Sequence, residues 1–421
     1  MQSAPSSIGS KLPQPCETMA RHPAKQLLFQ CAEKTYLQTM IDRSRFTTAT
    51  SIWVERAAAL LGLALLSSCT NPPVREPPID PDVARADIAK RIPASVKNRE
   101  GWAIDIFAAF EALSIRPTAE NVCAVIAVTE QESTFQVNPS VPGLPAIARR
   151  EIDARAERFK IPQFVVNTAL NIESPTGKTY RERLDKVSTE QELSDLFGDF
   201  IGMVPLGGRL FGSLNPVHTA GPMQVSIEYA EEHVREKKYP YPMSDGVRAE
   251  VFTRRGGMYF GIAHLLDYPV SYTDQLYRFA DFNAGHYASR NAAFQSAVGK
   301  LTKTPLALDG DLIIHGTGEP SKTELAVRSL AAKLDLDERA IRRDLDQGRE
   351  QAFEETKLYE RVFALADKQL KRPAPRAMVP TIRLQSPKIT RKLTTEWFAK
   401  RVDERYERCL LRGAPKLAAR R

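Results

Sequence analysis

The sequence has little of what marks a metal enzyme, a nucleotide enzyme or a membrane-spanning protein. Its six histidines, at positions 22, 218, 233, 264, 286 and 315, show no metal-ligand spacing, so no metal is expected. No glycine-rich phosphate loop appears, and no cofactor is expected. Residues 57–66 form an uncharged apolar run of ten residues, whereas a helix needs roughly twenty to cross a bilayer. Strand-like alternation is scarce and no internal repeat is visible, which points to a mainly α chain. Cysteines are few: Cys16, Cys31, Cys69, Cys123 and Cys409.

What is present is ordinary globular material, 421 residues long with 43% apolar and 26% charged residues. That length suits one large domain or two modest ones. The net charge of +8 is uneven, since eleven Lys/Arg face four Asp/Glu from Ser386 to the end. Such a terminus is either a solvated amphipathic helix or a contact for an anionic envelope surface. Apolar spacing predicts helices over 101–113, 118–134, 145–172, 179–201, 226–238, 249–266 and 271–279. Thr118 is the expected N-cap of the second. Residues 300–321 suggest a short hairpin, and Ser321 with Glu324 forms a capping-box pattern before a charged helical stretch. Residues 334–345 have a faint helix-turn-helix look, but an exported protein has no DNA to read, and no nucleic acid is expected.

Ten apolar residues suit the core of a secretory signal. Arg43, Arg45 and Arg56 precede this one, and Leu66-Ser67-Ser68-Cys69 follows it. Small residues before a cysteine at that place resemble the bacterial lipobox. The resemblance implies that Cys69 is acylated, palmitate included, and becomes the new N-terminus. Thr70 stands where an inner-membrane retention signal has Asp, so an outer-membrane anchor is expected, facing the periplasm or the cell surface. The signal begins far from residue 1, and Met40 would start a conventional leader. Five prolines over 71–82 then read as a semi-rigid tether. With Cys69 lipidated, Cys123 and Cys409 remain for an oxidising compartment. They are either a disulfide tying the basic terminus to an early helix or two separate thiols.

Three short motifs carry the chemistry. Glu132-Ser133-Thr134-Phe135 closes an apolar helix. A carboxyl there is either a surface glutamate or a half-buried acid whose pKa is raised by desolvation. Glu130 falls on roughly the opposite side of that helix and reads as the solvent carboxylate. Gly221-Pro222-Met223-Gln224 offers a tight turn, an adaptable apolar wall and an amide with donor and acceptor. Ala280-Asp281-Phe282-Asn283-Ala284-Gly285 is the third. Gly256-Gly257-Met258 between them reads as a close helix-packing point.

In order along one chain, these motifs resemble the active-site set of the lysozyme-like lytic transglycosylases. The fold implied is mainly α: a lysozyme-like helical domain with a helical insertion and a C-terminal helical extension. Residues 1–68 would be leader and signal, 69–95 the tether, 96–305 the domain with insertion 141–219, 306–372 the extension, and 373–421 a linker with a basic C-terminal helix. The resemblance implies cleavage of peptidoglycan glycan strands by one acid, Glu132, with Ser133, Met223, Gln224, Phe282 and Asn283 as substrate contacts. Two departures stand out. Phe282 replaces a tyrosine whose hydroxyl orients the reacting groups, and the insertion separates Glu132 from the Gly221 turn. Both favour the alternative, a non-catalytic envelope lipoprotein that binds glycan or a protein through the same fold. The whole chain also resembles the YaiW-type family of uncharacterised proteobacterial lipoproteins.

Overall fold

Asp80 accepts backbone N–H groups from Asp82 and Val83, and Pro81 sits in the first turn, so a helix starts where proline content suggested a tether. Proline is favoured at that position because its missing N–H would be unused there. This helix, α1 (Pro81–Arg91), moves the start of folded structure back into the residues assigned to the tether. The computed structural model describes residues 79–203, 212–384 and 391–414. The leader, the lipobox with Cys69, and most of the tether lie outside them.

Helix α2 (Arg99–Ala112) packs on α1. Helix α3 (Ala119–Glu132) begins at Thr118, whose hydroxyl accepts the Asn121 N–H as expected. Residues 122 to 128 of α3 are completely buried. The insertion forms α4 (Leu144–Arg158), α5 (Gln163–Leu170), α6 (Tyr180–Leu184) and α7 (Glu190–Gly202), which pack mostly on one another. Each stretch expected as one helix is two. Lys160 turns left-handed and Pro162 breaks the first. Thr189 and Glu192 open a fresh helix in the second with a capping box.

A two-residue hairpin follows, β1 (Thr219–Ala220) pairing antiparallel with β2 (Val225–Ser226). Then come α8 (Ile227–Glu236), α9 (Gly246–Val251), α10 (Arg254–Leu266) and α11 (Gln275–Ala284). These build the first hydrophobic core with α1, α2 and α3.

Helix α12 (Ala288–Thr302) starts a second core, with Phe294, Ala297 and Val298 packed among α13 (Lys322–Arg328), α14 (Ala331–Leu334), α15 (Glu338–Asp346) and α16 (Lys357–Leu370). It therefore packs with the extension as well as with α11. No strand forms over 300–321, where Leu312 and Ile313 are instead buried in this core. Ser321 caps α13, but Glu324 does not close the box; it is buried and paired with Arg328 and Arg342.

The final helix, α17 (Thr395–Gly413), returns to the first core. Its face of Phe398, Ala399, Val402, Tyr406 and Cys409 is buried against α3 and α11. Cys409 is disulfide-bonded to Cys123 of α3, closing a separation of 286 residues.

Candidate functional site

One helix, α10, touches the helix that ends at Glu132, the Gly221 turn and the helix that carries Phe282. Thr129, one turn before Glu132, meets the Met258 sulfur with its hydroxyl at 3.9 Å. Met223 lies against Gly261, where an added Cβ would stand 2.6 Å from the Met223 sulfur. The Phe282 ring lies 5.1 Å from that of His264. Positions 258, 261 and 264 follow a three-residue step, so the contacts wind about a third of the way round the helix over roughly 9 Å of its axis. The glycines make this possible: an added Cβ at Gly257 would lie 2.5 Å from the Pro222 ring. The packing role expected for this segment is thus to seat the hairpin.

Glu132 is the last residue of α3 and is half-buried. Among the described residues it has no hydrogen-bond or ion-pair partner. Desolvation pushes its carboxyl from the ordinary 4.5 up to about 7. The chain turns sharply behind it, with Thr134 and Phe135 both left-handed at φ 54 and 59. Two such residues in succession store strain, and packing must hold them. Phe135 is buried edge-on against Trp102, ring centres 5.2 Å apart. Ser133 is 3% exposed and its hydroxyl donates to the Thr129 carbonyl. It finishes the helix.

In the hairpin, Gly221 has φ 74, and a Cβ there would stand 2.4 Å from the Val251 carbonyl oxygen, so the turn needs glycine. Gln224 is left-handed too, at φ 50. Its Nε2 donates to Gly221 O at 3.1 Å, and its Oε1 accepts from Thr219 at 3.3 Å. The amide stays half-exposed beside the turn it stabilises. Met223 has no exposed surface. It serves as the hairpin's anchor on α10.

Phe282 and Asn283 end α11. Phe282 is half-buried and Asn283 exposed, its Oδ1 accepting from the Thr395 hydroxyl at 3.0 Å. Thr395 opens α17, so the final helix begins at the site. Asp281, the nearest second carboxylate by motif, is fully buried and accepts from the Tyr272 hydroxyl and the Ser289 N–H. Burial pushes it up to about 6, but its place is inside the fold.

A ring that the motifs do not contain, His264, lies against Phe282 and joins a larger aromatic cluster. His264 stacks on His286 at 4.5 Å, and His286 on Tyr268 at 3.9 Å; Tyr229 meets His264 at 4.6 Å. Burial pushes His264 down to about 3, which keeps it neutral. Its Nδ1 is buried with no hydrogen-bond partner among the described residues. The only sequence signal for His264 was its place one turn beyond Gly261.

Glu130 does not face open solvent. Its carboxylate lies 3.7 Å from each of Arg405, Arg408 and Arg412 of α17, with 19% of its side chain exposed. Arg412 also donates to the Arg91 carbonyl. Part of the basic charge of the terminus therefore holds α17 on α3.

Residues 95–412 match the family described as protein of unknown function (DUF1615), and the chain belongs to that family. It is similar to the uncharacterized protein YaiW of Escherichia coli (strain K12), with 56% identity over 355 residues, which cover 84% of this chain and 97% of that protein. No solved structure matches the chain.

Proposed function

We propose that the protein is a lipid-anchored envelope protein, held through Cys69, that binds peptidoglycan glycan strands and cleaves them as a lytic transglycosylase. The observation that carries this reading is the half-buried Glu132, its carboxyl lifted to about 7, at the end of a helix that packs on α10, as the Gln224 turn and Phe282 do. The protonated carboxyl donates to the glycosidic oxygen as the bond to the sugar carbon breaks. The sugar's own N-acetyl group stabilises the cationic centre. The resulting carboxylate then takes the proton of the sugar's 6-hydroxyl, whose oxygen closes a 1,6-anhydro ring. The carboxyl gives one proton and regains one, and no water is consumed, so the step needs no second carboxylate. Gln224 and Asn283 are the polar groups proposed to hold the N-acetyl sugar, each with part of its amide committed to the fold.

A second reading, a non-catalytic binder of glycan or of a protein, is favoured by Phe282, which has no hydroxyl. Glu132→Gln separates the two. It keeps the side chain's size and should leave binding to sacculi intact. Release of anhydro-muropeptides should fall by about 10²–10⁴-fold. A parent protein that sediments with sacculi yet releases no product, beside a transglycosylase that does, would favour the binder. Phe282→Tyr should leave release equal or higher.

A further inference from the structure

The insertion carries a surface unlike the rest of the molecule. Where α4 ends and α5 begins, every residue from 157 to 165 is exposed. Phe159 is 63% exposed, Ile161 43%, Phe164 71% and Val165 41%. Leu214, 48% exposed, joins the same end, because its carbonyl accepts from Arg155, one turn before Phe159. Large apolar side chains usually lie inside, and turns are usually polar.

The turn itself is ordered. Lys160 is left-handed, its N–H donates to Glu157 O, and the Ile161 N–H reaches back to Ala156 O at 2.8 Å. That is the bonding of a helix stop. Val166 and Leu170 of α5 point inward and are buried. The fold thus spends other residues on its core and holds this apolar set outward. Arg158 and Lys160 flank it, both exposed and, among the described residues, without an ion-pair partner.

We propose that this tip is a membrane wedge, inserting Phe159, Ile161, Phe164 and Val165 into the interface of a phospholipid bilayer with anionic headgroups, while Arg158 and Lys160 meet the phosphates. A set of large exposed apolar side chains, edged by Arg158 and Lys160 with Glu157 beside them and with the Gln163 amide turned back to Asp153, has the composition of an interfacial insertion. Sugar sites carry polar groups around the ring, whereas this tip is mainly apolar. The wedge would add a second contact with the membrane beside the lipid on Cys69, and in this it rests on the proposed anchor. The proposal stands apart from the reading of Glu132.

The test uses the full chain with Cys69→Ala, so that no acyl chain contributes and any effect of the leader is common to all samples. Vesicles contain phosphatidylglycerol and phosphatidylethanolamine. Phe159→Ser with Phe164→Ser should lower co-sedimentation with vesicles by about tenfold or more. Thermal stability should not change, because both side chains are exposed. A Phe164→Trp probe should be quenched by brominated phospholipid in the same vesicles. Equal partition of parent and double variant, or an unquenched probe, would overturn the proposal. So would a parent that self-associates in sedimentation velocity and loses only that property on substitution.

Discussion

At the residue scale the account rests on Glu132, and its burial has a thermodynamic signature that needs no substrate. A carboxyl lifted from 4.5 to about 7 binds its proton more tightly in the folded state than in the unfolded chain. Ionisation therefore costs stability. The cost is absent below about 4.5, grows as pH rises towards 7, and is complete above it. Glu132→Gln removes the ionisation. The variant should exceed the parent's stability at about pH 8, by no more than about 3 kcal/mol, and match it at about pH 4. Thermal melts across that range check this, and a gap independent of pH would contradict it. Glu132 was legible because a carboxylate at the end of an apolar helix is a local pattern. The opposite fate of Glu130 was not. Its surroundings come from Arg405, Arg408 and Arg412, nearly three hundred residues away in sequence, and no local spacing reports them.

At the element scale the hairpin and α10 act as one piece. An added methyl at Gly257 would stand 2.5 Å from Pro222 and 2.8 Å from the Val251 carbonyl oxygen. Gly257→Ala should therefore destabilise the protein by about 1–3 kcal/mol and displace the turn that presents Gln224. Calorimetry gives the first effect and loss of sacculus binding the second; an unperturbed melt would contradict the packing. Two helix starts were readable from a local hydroxyl cap, at Thr118 and Ser321. Pro81 misled, because proline belongs equally to a tether and to a first helical turn, and only the burial of Ile88 and Ile92 decides between them. The apolar stretches over 145–172 and 179–201 kept one helical period through their breaks, so periodicity alone merged helices that the backbone separates. Glu324 matched a capping box by spacing, yet two arginines from the same core claim its carboxylate.

At the scale of the whole molecule, α17 closes the first core over a long loop of chain. Its disulfide to Cys123, its ion pairs to Glu130 and the bond from Thr395 to Asn283 tie the terminus to the helices that carry the site. Cys123 and Cys409 should resist alkylation until reductant is added, and reduction should cost about 2–5 kcal/mol of stability. Ready labelling of both in the native, unreduced protein would contradict the bridge. What this assembly does to a glycan strand is read from mass spectrometry of the products. Purified protein incubated with sacculi should release fragments ending in 1,6-anhydro sugars, with release falling as pH rises through about 7 and Glu132 loses its proton. Fragments with reducing ends, or no fragments where a transglycosylase control yields them, would contradict it.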